Sequence, residues 1–598
     1  MIQERINSLR SLMQEHGLSA YIVPGTDPHA SEYMCDHWKE ITWLSGFKGE
    51  TGTVLVTMHE AFLWTDSRYY LQADKELAGT GVSLMRESDI DTPTIPEWLT
   101  DNLKSGSTIG VNPEMFTVQA YKALQDELAE AGIGIKSIDF IRELWTDGRP
   151  AIPQVPLYEY KAEFAGETVE SKLGRIRAEI KKKKADTMVI SALDEIAWIL
   201  NIRGLDVDFN PVVISYLLLT GDSCTLFVAP EKVTAQTKQY LLSNHVKTDD
   251  YENIFAALNA LPASSVVLFD GNRLNQALYE ALPADCKKIN TQSPILLLKS
   301  IKNSVELEGE RKAMREDAVA LTRFFRWLEE EAFADGKTPT EYDLMEKLHE
   351  YRAMGRNFVT ESFGTIAGYK GNGAIVHYEA TKTDCAVVYP EGMLLLDSGG
   401  QYLDGTTDIT RTVWLGGEIP EQAKKDYTYV LKGHIALATA RFPRGTRGNQ
   451  LDALAKQYMW QEGITYGHGT GHGVGHFLGC HEGPQNVRTD MNPTQLQPGQ
   501  ICSDEPGIYR TGMWGVRIEN LVAVTEAPQT EARTTDDRFL CWETLTLCYY
   551  DTSLIDMSLL TAQEREWINC YHKHVAEQIC PLLSKEDAAW LKNKCKAI

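Results

Sequence analysis

At 598 residues the chain is too long for one hydrophobic core and divides into about three or four domains by size alone. Hydrophobic residues at 43% and charged residues at 24% are ordinary for a globular protein. A net charge of −24 argues against nucleic acid as a partner, because phosphates need a basic face; it mildly favours cationic ligands such as peptide amines, although solubility is the commoner reason.

The N-terminus, MIQERINSLRSLMQEHGL, has the pattern of a charged amphipathic helix over Ile2–His16 and no apolar signal core. No stretch approaches the roughly 20 apolar residues of a membrane span. Eleven scattered cysteines without a CxxC pair suggest reduced thiols and a cytoplasmic location. After the first helix, AYIV (20–23), TVLV (53–56) and AFLW (61–64) read as strands. A second pass of the same pattern begins near Glu170, where SKLGRIRAEIKKKKADTMVIS is a helix running into a strand. WLSGFKG (43–49) and WILNIRG (198–204) also correspond, which points to a duplicated α/β domain joined by the proline-bearing stretch DGRPAIPQVPLY (147–158). The basic run Lys181–Lys184 reads as a solvated helix end. A second boundary falls near 293–314, from which a helical pattern continues to about Ala334. A third, larger domain follows, and TAQE (561–564) is a capping-box start for a last helix through about Ile579. The expected architecture is α/β, α+β overall, with domains at 1–152, 153–298 and 299–598.

The third domain carries the chemistry. In GMLLLDSGG (392–400) Asp397 follows four apolar residues, where an unpaired carboxylate is expensive to bury. In DGTTDITRTVW (404–414) Asp408, Thr410 and Thr412 share one strand face by period 2. SGGQYLDG between them has hairpin chemistry, so Asp397 and Asp408 can come from adjacent antiparallel strands. The run HGTGHGVGHFLGCHEGP (468–484) then holds four of the fourteen histidines. His468, His472 and His476 at i, i+4, i+8 could suggest a helical zinc site, but the interspersed glycines disfavour helix and no HExxH motif is present. An extended or looped backbone fits better. His476 reads as a partly exposed loop histidine, and Cys480 and Cys502 as small buried hydrophobes. As a phosphate loop the run fails for want of the Lys-Ser/Thr that should follow it.

In QPGQICSDEPGIY (497–509) Glu505 precedes Pro506, which holds it extended. In GVRIEN (515–520) Val516 and Ile518 face one way while Arg517 and Glu519 face the other. Four carboxylates and one imidazole in one domain would be balanced by two divalent cations with a bridging hydroxide. Oxygen-dominated ligation with one nitrogen suits Mn²⁺, Fe²⁺ or Co²⁺ better than a structural zinc site.

The order Asp, ten residues, Asp, HGTGHG, Glu before ProGly, then RIEN resembles the pita-bread metallopeptidases, which include methionine aminopeptidase, prolidase and aminopeptidase P. YKGNGAIVHY (369–378), HGTGHGVG, HEGP and GVRIEN are most similar to the aminopeptidase P (Xaa-Pro aminopeptidase) group. The layout, with two creatinase-like N-terminal domains and a C-terminal tail, resembles its long form. The resemblance implies that Asp397 chelates one metal, Asp408 and Glu519 bridge both, and His472 and Glu505 bind the second. It implies catalytic roles for His377, His468, His481 and Glu505, and supporting roles for Thr410 and Arg517. The implied cofactors are two divalent ions, Mn²⁺ first, with Co²⁺, Fe²⁺ or Zn²⁺ as alternatives. The implied reaction is hydrolysis of the first bond of Xaa-Pro peptides by a hydroxide shared between the metals, in a homodimer; cysteine usage, hydropathy and charge add a cytoplasmic location with no membrane or nucleic-acid partner. A prolidase-like dipeptidase is the rival, though no cation for a substrate carboxylate is identifiable. A methionine aminopeptidase would be shorter, and a non-catalytic peptide-binding relative would not need a full ligand set.

Overall fold

Why the first half of the chain reads twice is visible in its helices. Helix α1 (Ile2–Glu15) buries Ile6, Leu9 and Met13, and helix α2 (Val169–Lys182) buries Leu173, Ile176 and Ile180. The i, i+3, i+7 spacing is the same in both, as one apolar stripe on a 3.6-residue period requires. Each helix feeds a buried strand: β1 (Ala20–Pro24) in the first case, β7 (Thr187–Ile190) in the second. The first sheet adds β2 (Thr53–Thr57), β3 (Ala61–Thr65), β4 (Ser83–Arg86), β5 (Thr108–Val111) and β6 (Gly134–Ser137), in the order β4-β3-β2-β1-β5-β6. The second adds β8 (Ser215–Thr220), β9 (Cys224–Val228), β10 (Lys247–Asp249), β11 (Val266–Phe269) and β12 (Lys287–Asn290), in the order β10-β9-β8-β7-β11-β12. Both sheets have the same pairings: two antiparallel contacts in the middle, flanked by parallel ones. The repeated plan expected from the sequence is therefore present, and Lys181–Lys184 are exposed at the end of α2.

This computed structural model describes residues 2–87, 89–528 and 538–598. Contacts divide the chain into two units, Met1–Lys161 with Glu167–Ile295, and Ala162–Gly166 with Leu296–Ile598. Among the described residues no helix is long and apolar enough to cross a membrane.

The division falls within a short helix, Pro294–Ser300, after which the second unit continues into the long α3 (Ser304–Glu330). The expected helix out to Ala334 is thus broken at its start and ends earlier. The break is chemical: the Asn303 side chain accepts from the backbone of Val305 and Glu306, and the Glu306 carboxylate returns to the Asn303 N–H. Helix α4 (Glu341–Ala353) and helix α5 (Glu421–Ala438) flank the sheets that follow. Strands β13 (Phe358–Glu361), β16 (Gly400–Tyr402) and β17 (Gly405–Thr406) form one small sheet, and β14 (Ile366–Tyr369), β15 (Met393–Ser398) and β18 (Ile409–Trp414) another. A six-stranded sheet runs β19-β26-β25-β22-β20-β21, from β19 (Arg441–Pro443), β20 (Gly471–Gly473), β21 (Glu482–Val487), β22 (Ile501–Asp504), β25 (Asn520–Glu526) and β26 (Phe539–Thr544). β23 (Gly507–Arg510) and β24 (Trp514–Arg517) pair with each other.

The capping box at Thr561 and Glu564 opens α6 (Ala562–Ile579), as expected. It is not the last helix. Pro581 interrupts the chain and Ser584 accepts from the Asp587 N–H to start Lys585–Lys594. The core of the unit packs Leu321, Phe324, Phe325 and Leu328 of α3 with Leu394 and Leu396 of β15 and Val516 and Ile518 of the GVRIEN segment. Leu394 is fully buried between Tyr369 and Val413 on the neighbouring strands. Leu394→Ala is expected to cost about 2–5 kcal/mol, read as a lower midpoint of thermal unfolding at unchanged secondary-structure content.

Candidate metal centre

Strand β15 delivers Asp397 because four apolar residues before it are fixed in the core while its own side chain reaches the end of the buried ladder. Asp397 faces Ile366 on one neighbour and Thr410 on the other, and Asp408 precedes β18 on that same antiparallel partner. The residues between them do not close a simple hairpin: β16 and β17 pair within a separate sheet. His472 is the middle residue of β20, which pairs with both β21 and β22. Gly471 and Gly473 flank it because a Cβ at either would collide with a carbonyl oxygen, of Ser503 and Glu482 respectively. The run is extended and then looped rather than helical, as the glycines predict. Glu505 lies at the end of β22, and Glu519 between β24 and β25.

These five side chains converge. Asp397, Asp408 and Glu519 each offer an oxygen within 4.8 Å of the others, as do His472, Glu505 and Glu519 with their own ligand atoms; Asp408, His472 and His481 form a third such group. His472 Nε2 is 3.3 Å from Asp408 Oδ2 and 3.5 Å from Glu505 Oε1. Its Nδ1–H donates to the Gly473 carbonyl at 3.0 Å, which leaves the Nε2 lone pair for a ligand. Asp397 Oδ1 and Glu519 Oε1 are buried without a hydrogen-bond partner. Orphaned carboxylate oxygens at the centre of an acidic cluster are what a pair of hard divalent cations would satisfy, so the donor set fits such a pair.

Thr410 and Arg517 border the carboxylates of the cluster. Thr410 Oγ1 donates to Glu519 Oε2 at 2.9 Å, and Arg517 Nε donates to Asp397 Oδ2 at 3.0 Å and to Thr410 Oγ1 at 3.2 Å. Arg517 Nη1 also donates to the Tyr509 hydroxyl at 2.8 Å, and that hydroxyl is 2.7 Å from His468 Nε2. His468 Nδ1 is 2.7 Å from the Gly469 carbonyl and 4.0 Å from Glu505 Oε2, so this imidazole borders the cluster through Tyr509 and Glu505. The His481 ring meets His472 edge-on, with centroids 4.4 Å apart. His377 is half-buried, next to Val376, whose carbonyl accepts from Arg517 Nη2 at 3.5 Å. His476 is a correction. It is buried, not partly exposed, with Nδ1 3.1 Å from Glu310 Oε1 and Nε2 3.2 Å from the Phe164 carbonyl. The turn after β20 carries it inward, where Glu310 takes up its polarity.

Sequence reasoning missed three neighbours. Ser503 Oγ accepts from the His472 N–H at 2.9 Å and donates to Glu505 Oε1 at 3.1 Å, and its i, i+2 relation to Glu505 on an extended segment could have shown it. Cys480 is buried as expected, but its thiol also donates to Asp408 Oδ2 at 3.2 Å. Nothing in GIYR singles out Tyr509.

The crowding sets the electrostatics. Burial raises the Asp397 pKa, with Asp408 adding to it and Arg517 opposing. Burial likewise raises Glu505 and drives Glu519 well above the carboxylate range, with neighbouring acids reinforcing the shift. At Asp408 burial loses to the His472 hydrogen bond and charge, and its pKa is lowered. Burial and His481 disfavour a proton on His472, but Asp408 and Glu505 outweigh them and its pKa is raised.

The chain resembles known proteins along its length. Residues 5–143 and 148–306 each match the creatinase/prolidase N-terminal domain, 308–526 match metallopeptidase family M24, and 538–598 match the C-terminal region of that peptidase family. The chain is 40% identical to Xaa-Pro aminopeptidase 1 of Dictyostelium discoideum over its whole length and 97% of that protein. The chain belongs to the Xaa-Pro aminopeptidase family of M24 metallopeptidases. The whole chain is also 38% identical to aminopeptidase P2 of Arabidopsis thaliana, covering 89% of it. The X-prolyl aminopeptidase of Caenorhabditis elegans, described as cytosolic with a di-nuclear active site, superposes with a TM-score of 0.95 at 34% identity, covering all of both chains. The family's architecture, two creatinase-like α/β domains before a pita-bread catalytic domain, is the fold expected from the sequence, and the His/Asp/Glu cluster is its dinuclear metal-binding centre.

Two predictions follow from the cluster. With no cation bound, Asp397, Glu505 and Glu519 hold protons more tightly than in the unfolded chain. They cost no stability below the ordinary carboxylate range and destabilise as pH rises through their raised pKa values; Asp408, lowered, acts in the opposite sense. Cations relieve that cost, so the Tm difference between metal-loaded and chelator-stripped protein should widen as pH rises from about 5 to about 8. A flat difference would contradict this account. Thr410→Val should weaken metal binding by about 10–100-fold in a chelator competition, because Glu519 loses the donor that orients it.

Proposed function

We propose that this protein is a metal-dependent aminopeptidase that releases the first residue from peptides with proline in the second position. We further infer that it works as a cytoplasmic homodimer on two Mn²⁺ ions, with catalysis assigned to residues 299–598 and the paired domains to 1–152 and 153–298. The observation that carries the reading is the convergence of Asp397, Asp408, His472, Glu505 and Glu519 around two orphaned carboxylate oxygens. Full-length similarity to Xaa-Pro aminopeptidases supports the proline preference. Eleven cysteines, all free thiols, support a reducing compartment.

The roles divide by chemistry. Asp397, Asp408, His472, Glu505 and Glu519 would hold the cations, which when bound lower the pKa of a water and polarise the scissile carbonyl. Glu505 accepts the proton of the attacking water, next to which its carboxylate would stand. Ser503, bonded to Glu505 and to the backbone of His472, keeps the carboxylate and the imidazole in register. Arg517 and Thr410 orient Asp397 and Glu519. The Xaa-Pro bond is a tertiary amide, so its nitrogen has no hydrogen and must gain a proton to leave. His377 or His481 supplies it, and His468 borders Glu505 from the Tyr509 side.

The test is mass spectrometry of Gly-Pro-Phe-Ala, Gly-Pro and Gly-Ala-Phe-Ala incubated with Mn²⁺-loaded protein. Glycine should leave the proline tetrapeptide and not its alanine analogue. Cleavage of Gly-Pro alone would make the protein a dipeptidase, and no cleavage with metal present would refute the reading. Asp408→Ala should lose metal and activity together. His377→Ala and His481→Ala should keep metal, with the proton donor losing about 10²–10⁴-fold in kcat.

A further inference from the structure

Glu341 lies far from the cluster in sequence, outside every motif of the family resemblance, and is fully buried. It is the first residue of α4, and among the described residues its carboxylate is enclosed by donors from one segment, residues 369–386. Oε1 accepts from the Tyr369 N–H at 2.8 Å and from Asn372 Nδ2 at 3.0 Å. Oε2 accepts from Asn372 Nδ2 at 3.1 Å, the Tyr378 hydroxyl at 2.7 Å and the Ala386 N–H at 2.7 Å. The Glu341 N–H donates in turn to the Ala386 carbonyl at 3.0 Å, and Thr340 bridges Val387.

The segment so gripped is the one that carries His377. It leaves β14 at Tyr369, makes a short turn at Lys370–Ala374, passes His377 and Tyr378 without regular structure, and returns at Ala386. A stretch of this kind has few ladder hydrogen bonds of its own to fix it. Glu341 ties it at its start, its turn, its middle and its end. Burial and the Glu341 contact both raise the Tyr378 pKa, so the phenol stays protonated and donates.

We propose that Glu341 is a positioning residue for the reaction: it sets the place of His377 by holding the backbone and Tyr378 on either side of that imidazole. Buried carboxylates that accept several hydrogen bonds fix the geometry of what donates to them, because each donor would otherwise be left unsatisfied. Glu341 touches neither the metal ligands nor, by its enclosure, a substrate. The inference rests on His377 acting in the proposed hydrolysis.

Glu341→Gln is the test, since it keeps the shape but turns an amide N–H₂ towards groups that donate. Hydrogen exchange followed by mass spectrometry should show faster exchange confined to 369–386. With metal content and KM unchanged, kcat on Gly-Pro-Phe-Ala should fall about 10–100-fold. Added to His377→Ala, the substitution should cost nothing more, because its effect runs through a side chain already gone. Unchanged exchange in the segment, full activity of either single variant, or losses that multiply in the double variant would each overturn the proposal. Should Glu341→Gln not fold, Tyr378→Phe removes one donor without a buried polar clash and is judged by the same criteria with a smaller loss. A wild-type protein that cuts no proline peptide would refute the proposed function instead, and exchange alone would then decide whether Glu341 anchors the segment.

Discussion

The repulsion among Asp397, Asp408, Glu505 and Glu519 governs the second unit. Two unit charges about 4 Å apart at an effective dielectric of about 20 interact by roughly 4 kcal/mol, and here several carboxylates meet at comparable range inside the protein. Arg517 offsets part of this through Asp397, and protons on Glu519 and Glu505 offset more at low pH. What these leave uncompensated makes the folded unit a receptor for positive charge. Two divalent cations answer four carboxylates with matching charge.

Holding such a cluster together is a task for strand ladders. Asp397 and Asp408 come from paired strands whose register is set by the apolar run at Met393–Leu396, while His472 and Glu505 come from the six-stranded sheet and its end. Glu519 enters between β24 and β25, and its backbone N–H donates to the Thr410 carbonyl, which joins the two groups of strands. Thr410, Arg517, Tyr509 and His468 then form a continuous line of hydrogen bonds from a bridging candidate to an imidazole on the far side. Arg517 and Thr410 tie Asp397 to Glu519, and Ser503 ties His472 to Glu505, so the members of each pair do not move independently.

The candidate ligands were legible in the sequence because each is a polar residue at the end of an apolar or glycine-rich run, where burial demands a reason. The duplicated domains were legible because α1 and α2 repeat one apolar spacing. His476 was misjudged because a loop histidine after glycines carries no sign of the acid it will meet, and Glu310 stands far upstream on α3. Tyr509 and Glu341 were silent for the same reason: their partners are brought by tertiary folding, and neither occupies a periodic position that would mark it. The helix after α6 stands outside the sequence reading although Ser584 and Asp587 spell a cap just past Pro581. Local chemistry announces demands for compensation; which distant group meets them is written only in the packing.

Gly471 and Gly473 have an evolutionary consequence. Their missing side chains are replaced by carbonyl oxygens of the adjacent strands, so the segment beside His472 is closed to any substitution that adds even one carbon. A change of peptide preference by substitution therefore has to come from other positions around the cluster, with these two glycines left in place.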